Sequence, residues 1–235
     1  VKQNNKKVRP AINLRQFNHF VVYSHFKMET ILQLRDCLQP SDWMVRLDLK
    51  DAYLSIPIHP DFRKYLQFHW QGSFYHFSAL PFGLSSAPWV FTKPLKPVVA
   101  HLRALGIRLI IYLDDILILS QDNQSLLEHL HISISLLESL GFVITHEKSI
   151  LVPQQSLEFL GFLVNSLSCT LQLTASRLLV IRKELLLLKS SHVSLRQLAR
   201  VVGLLASSIQ AIFPDPLHYR ALQRLKILHL RKGLS

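Results

Sequence analysis

An α+β fold, with a strand-rich body followed by a basic helical module, follows from three features of this 235-residue sequence. Short apolar strands alternate with amphipathic helices as far as Leu173, and the last sixty residues read as helix throughout. The charge is also uneven. From Arg177 to Ser235 there are eleven Lys or Arg against only Glu184 and Asp215, and four more bases stand within the first nine residues. With 49% hydrophobic and 18% charged residues the chain is a folded protein. Its length suits one large or two to three small subdomains sharing a core. A net charge of +12 points to a polyanionic partner, nucleic acid or an anionic surface, although a basic face also serves solubility.

The elements follow in order. After the basic opening "VKQNNKKVRP", "AINLRQFNHFVVYSH" alternates enough to predict a strand and an extended connection. Met28–Leu38 has helical spacing that Pro40 ends, and Trp43–Ile58 opens as a strand closed by Pro57 and Pro60. "YLQFHWQGSFYHFSAL" predicts a hairpin around Gln71-Gly72. "SSAPWVFTKPLKPVVAHLRAL" predicts a helix with Pro88 in its first turn, but Pro94 and Pro97 each remove an interior bond at roughly 3 kcal/mol, so the helix must kink or begin late. "RLIIYLDDILILS" is strand, tight turn, strand, and the amphipathic helix after it ends at Gly141. Short strands are predicted around Phe142–Thr145, Ser149–Val152, Leu157–Asn165 and Thr170–Leu173, and then three helices, the last after Pro214 and Pro216.

Cys37 and Cys169 stand far apart with no CxxC or His-Cys cluster, which disfavours a disulfide framework or zinc site and fits a reducing compartment, cytoplasm or nucleus. The most apolar helical stretch, "RLLVIRKELLLLKS", is broken by Arg182, Lys183 and Glu184, so no membrane partner is expected. The start is polar and basic, unlike a secretory leader, and reads as already inside an element of something longer.

Asp114 and Asp115 sit in an apolar run with no Lys or Arg between Leu109 and Leu119. An Asp-Asp hairpin turn alone would be ordinary. A second apolar strand, "VRLDLKDAY", however, delivers Asp48 in a similar frame, flanked by Leu47 and Leu49. Carboxylates gathered in a partly buried site repel unless a cation lies between them, and hard oxygen ligands suit magnesium. Two such ions about 4 Å apart polarise the attacking and leaving oxygens of a phosphoryl transfer.

These motifs resemble those of reverse transcriptases. "YLDD" is similar to their catalytic hairpin, "RLDLKDAYLSIPI" to their first carboxylate motif, and "ALPFGLSSAPWVF" to the nucleotide-binding loop and helix that follow it. "LGFVITHEKS" and "LEFLGFLVNS" resemble the next two motifs in the right order, and "RPAINLRQFNHFV" a fingers strand. "HFKMETI", "DLKDAYLSIPIHP" and "SLRQLARVVGLLAS" are most like retrotransposons of the DIRS type, which carry a tyrosine recombinase. The resemblance runs from about Lys2 to Asn165 and more loosely beyond.

It implies a right-hand polymerase fold with an antiparallel palm sheet: fingers at 1–22 and 56–86, palm at 23–55 and 87–167, and a helical thumb or connection at 168–235. By resemblance, Asp48, Asp114 and Asp115 are the catalytic acids and, with the Leu49 backbone, hold two Mg2+ ions, with Mn2+ as a substitute. Lys2, Arg9, Asp51, Ala52, Tyr53, Phe82, Gly83 and Lys148 bind the deoxynucleoside triphosphate, with Tyr53 crowding the sugar 2′ position and Lys148 assisting pyrophosphate. Tyr112, Phe159, Leu160 and Gly161 hold the primer, and Arg177, Arg182, Arg196 and Arg200 contact an RNA–DNA hybrid through its phosphates. RNA template and DNA primer are the implied partners, with RNase H and recombinase regions elsewhere in a parent polyprotein. Two rivals are an RNA-directed RNA polymerase, which Tyr53 and "YLDD" disfavour, and an inactive domesticated nucleic-acid-binding relative, for which Pro94 and Pro97 would be marks of decay.

Overall fold

The computed structural model describes residues 2–4, 7–9, 12–22, 24–189, 193–212 and 215–232, the side chains of 2–4, 7–9, 215–218, 231 and 232 excepted. The chain divides into two compact units, residues 1–30 with 45–153 and residues 31–44 with 154–235. Among the described residues no helix is long and apolar enough to cross a membrane.

The first unit opens with an antiparallel hairpin of β1 (Lys2–Asn4) and β2 (Lys7–Arg9), in which Lys2 pairs with Arg9. The strand expected after it is instead a helical turn, α1 (Arg15–Asn18). Asn13 Oδ1 accepts from the Arg15 amide at 3.1 Å, and Leu14 and Phe17, three residues apart, face one apolar cluster with Leu66, Leu80 and Leu84. A local side-chain turn at Asn13 and helical spacing outweigh the apparent alternation. α2 (Ile31–Cys37), which belongs to the second unit, starts three residues later than the sequence reading.

A four-stranded sheet, in the order β6 (Arg108–Tyr112), β7 (Asp115–Ser120), β3 (Trp43–Asp48), β8 (Ile150–Gln154), carries the acids. Ile116 to Leu119 are all buried, so this central strand reads as continuous apolar sequence rather than alternation. Each such leucine or isoleucine contributes about 1.5–3 kcal/mol. After β3 come a 3-10 turn at Ala52–Ser55, a short helix α3 (Pro60–Arg63), and the aromatic hairpin of β4 (Gln67–Trp70) and β5 (Ser73–His76). Gln71 and Gly72 both have positive φ, the two-residue turn that their sequence demands.

α4 (Ala87–Ala104) packs on β6, and α5 (Asn123–Ser139) packs on β7. α4 does not begin late: Pro94 and Pro97 lie inside it, both on its exposed face. The carbonyls they deprive of a helical donor belong to Val90 and Lys93, half-buried and exposed, where solvent can take the place of the missing donors. Asp122 caps α5 by accepting from the Ser125 amide at 2.7 Å, and Gly141 leaves it at φ 86. Phe142–Thr145 forms no strand. It touches the end of β3 through a single bridge, Leu49 to Ile144, because the chain leaving Gly141 meets only the tip of its neighbour.

In the second unit β9 (Ser156–Phe159), β10 (Phe162–Asn165) and β11 (Thr170–Leu173) form an antiparallel sheet in the order β11-β10-β9. Leu157–Asn165 is therefore a hairpin turning at Leu160-Gly161. Helices α6 (Ala175–Leu187), α7 (Leu195–Ala206) and α8 (Asp215–Lys232) follow, and α7 packs on both others. Ser194 and Gln197 form a reciprocal capping box at the start of α7.

Candidate active site

The two strands bearing the acids are joined at their ends. Asp48 ends β3, Asp115 starts β7, and the Leu49 amide donates to the Asp114 carbonyl at 2.8 Å. Residues 65 positions apart in sequence are thus backbone neighbours. Leu113, with φ 54, makes the tight turn that presents Asp114. Asp48 is buried, and its amide donates to Ser149 Oγ at 3.0 Å, which in turn donates to the Thr145 carbonyl at 2.8 Å.

The charges act on one another. Burial, then Asp114 and Asp48, push the Asp115 carboxyl above its ordinary value, while Arg46 and Lys148 pull it down. Lys148 Nζ lies 3.5 Å from Asp48 Oδ1, and Arg46 donates to the Lys148 carbonyl at 2.8 Å. Among the described residues no three His, Cys, Asp or Glu side chains close on one point tightly enough to hold a metal. Asp48, Asp114 and Asp115 lie within electrostatic reach of one another, and Asp48 faces the Lys148 ammonium.

Leu49, Asp51, Ala52, Tyr53, Phe82, Asp114 and Lys148 line one cleft of about 140 Å3. Asp51, at φ 47, starts the 3-10 turn that buries Ala52 and aims Tyr53 between Phe82, 5.2 Å away, and Phe91, 5.7 Å away. Burial, then Asp114 and Tyr112, raise the Tyr53 phenol, which therefore stays neutral. Gly83 has φ 96, and a Cβ there would stand 3.7 Å from the Ile12 carbonyl. Asn18 holds this loop with both ends of its amide, donating to the Gly83 carbonyl and accepting from the Ser85 amide, each at 2.9 Å.

Other expected site residues lie elsewhere. Lys2 and Arg9 face each other in the backbone register, but their side chains are outside the described residues. Phe159, Leu160 and Gly161 form the hairpin of the second unit, with Leu160 at φ 49. Arg177 donates to Ser207 O and Oγ at 2.7 Å and covers the Phe162 ring at 4.8 Å. Arg200 pairs with Glu184 at 3.0 Å, whereas Arg182 and Arg196 are exposed. Sequence reasoning missed Arg46, Ser149 and Asn18. The two-residue period of β3, which puts Arg46 on the face of Asp48, is a signal for the first; nothing local marks the other two.

In architecture this is the right-hand fold of nucleic-acid polymerases. The foamy viral protease-reverse transcriptase in complex with double-stranded DNA superposes with a TM-score of 0.78 at 21% identity, covering 96% of this chain and 38% of that one. The same enzyme with an RNA/DNA hybrid gives 0.73 at 22%, covering 93% and 28%. The chain belongs to the reverse transcriptase (RNA-dependent DNA polymerase) family, whose model matches residues 1–164. It is 29% identical over 155 residues to the genome polyprotein of Petunia vein clearing virus (isolate Shepherd), covering 66% of this chain and 7% of that protein. It is 27% identical over 161 residues to the Pol polyprotein from transposon gypsy of Drosophila melanogaster, covering 68% and 15%. The chain thus spans a small part of these relatives' length.

Proposed function

We propose that this chain is the polymerase region of a retroelement polyprotein, adding deoxynucleotides to a DNA primer's 3′ hydroxyl on an RNA template and releasing pyrophosphate. The observation that carries this reading is the Leu49–Asp114 backbone bond, which gathers carboxylates from two strands beside a cleft floored by Tyr53 and Phe82. The donor set, hard oxygens with concentrated negative charge, fits divalent cations. Asp48, Asp114, Asp115 and the Leu49 carbonyl would hold two Mg2+ ions, or Mn2+, which supply charge at the attacking and leaving oxygens of a phosphoryl transfer.

The chain's own groups do the positioning. Tyr53, braced by Phe82 and Phe91, crowds the sugar's 2′ position and favours deoxynucleotides. Asp51 and Ala52 set its turn, and Gly83 lets the loop backbone approach the nucleotide. Lys148 leaves Asp48 for the departing pyrophosphate, and Lys2 and Arg9 grip the triphosphate. Tyr112 and the Phe159–Gly161 turn hold the primer end, and the exposed Arg182 and Arg196 meet duplex phosphates without reading sequence. The fingers, palm and thumb divisions at 1–22 with 56–86, 23–55 with 87–167, and 168–235 belong to the same reading. So does the DIRS type, supported by the wording around Met28, Asp48 and Leu195, with RNase H and recombinase regions elsewhere in the parent polyprotein.

Magnesium-dependent extension of a DNA primer on an RNA template tests it, with deoxy- and ribonucleotides compared side by side. Preferential ribonucleotide use would transfer the chain to RNA synthesis, and duplex binding without extension would make it a binding module.

A further inference from the structure

Among the described residues β6 is the outer strand of the acid-bearing sheet, so one row of its backbone groups has no neighbouring strand there. The turn pairs Tyr112 with Asp115. In such a ladder alternate residues point outward, here Ile111 and Leu109. Both are met by side chains: the Ile111 amide donates to Glu29 Oε2 at 2.8 Å, and Arg103 donates to the Leu109 carbonyl at 2.9 Å. Arg103 also pairs with Glu29 Oε1. A carboxylate from the segment before α2 and a guanidinium from the end of α4 thus close one ring against the open edge. Glu29, Arg103, Ile111 and Leu113 line a single hollow of about 260 Å3, which carries the clasp to the residue preceding Asp114.

We propose that Glu29 is a positioning residue for nucleotide addition: with Arg103 it substitutes for a missing strand, fixes the end of β6, and thereby holds the Leu113-Asp114 turn in register with Leu49. It does not line the cleft of Leu49, Tyr53, Asp114 and Lys148 and would act only through the turn. The inference rests on the polymerase reading, but its physical half is independent of it. Glu29→Ala removes the acceptor of Ile111 and the counter-charge of Arg103, whereas Glu29→Gln keeps an oxygen acceptor.

The test compares the purified chain with both variants, by primer extension on an RNA template and by amide hydrogen exchange over 108–113. Glu29→Ala is expected to lower kcat about tenfold or more, as small misplacements of reacting groups do. KM for deoxynucleotide and primer affinity should stay within about twofold. Exchange at Ile111 should rise, and Glu29→Gln should recover most of the rate. Unchanged kcat and exchange in Glu29→Ala overturn the proposal. So does a Glu29→Gln as impaired as Glu29→Ala, or a loss that merely tracks the unfolded fraction. If the parent chain does not extend a primer, the polymerase reading fails by itself, and exchange at Ile111 still decides whether the clasp holds the turn.

Discussion

The two-residue turns Leu113-Asp114 and Leu160-Gly161, one in each unit, share their first residue and part at the second. Both leucines take positive φ, 54 and 49, which costs an L-residue about 1–2 kcal/mol. Gly161 follows at φ 77 without strain, and the Arg177 guanidinium lies where its Cβ would project, 3.0 Å away. Asp114 instead places a carboxylate beside two others. The first turn is held from outside, through Leu49 and the Glu29–Arg103 clasp, and keeps its side chain for chemistry. The second is filled from its own unit, by a cation that reaches Ser207 and Phe162. A turn can therefore be stabilised through its backbone or through its side chains, and a site that needs its side chains uses the backbone.

The largest expected effect separates chemistry from folding. Asp114→Asn should lower primer extension by about a hundred- to a thousandfold, while duplex binding, measured by fluorescence anisotropy, persists. Arg177→Ala should do the reverse, destabilising the chain by about 1.5–3 kcal/mol in urea titration through lost charged hydrogen bonds, with extension retained well below the melting temperature. Gly161→Ala should cost about 1–2 kcal/mol in the same titration, from left-handed strain and contact with Arg177.

A smaller effect follows from Asp115. Its folded carboxyl is raised above the ordinary 3.8. Between these two values the folded state holds more protons than the unfolded one, so stability falls as pH rises through the window. Asp115→Asn should then melt above the parent near pH 7 in chelator, and the two should converge in acid, as scanning calorimetry would read. Smallest is the contrast among arginines: Arg182→Ala should weaken duplex binding at every sequence and reduce the salt slope by about 1, and Arg200→Ala, already paired with Glu184, by less.

The hairpin that carries Asp114 and Asp115, though turning one residue earlier at Leu113-Asp114, and the strand ending at Asp48 were legible because apolar runs bounded by acids have few alternatives. The Gln71-Gly72 hairpin and the helix after Asp122 were legible from their turn and cap residues. The helical turn at Arg15–Asn18 was not, because its alternating residues fit a strand until the Asn13 side chain turns the chain just before it. Nor was the continuity of α4 across Pro94 and Pro97, which depends on which face meets water. The bond from Arg177 to Ser207 was not legible either, because charge is visible in sequence and a partner thirty residues on is not.

By itself the sequence determined the kinds of residue available: three acids in apolar frames, an aromatic after the first, a glycine loop and a basic helical end. Only tertiary structure decided who meets whom, because contact between strands is set by sheet order and not by spacing along the chain. It joined Leu49 to Asp114, turned Lys148 toward Asp48, and brought Glu29 and Arg103 to the open edge of β6. Backbone donors and acceptors on an edge must find partners wherever the fold supplies them, and no local pattern announces which ones will come.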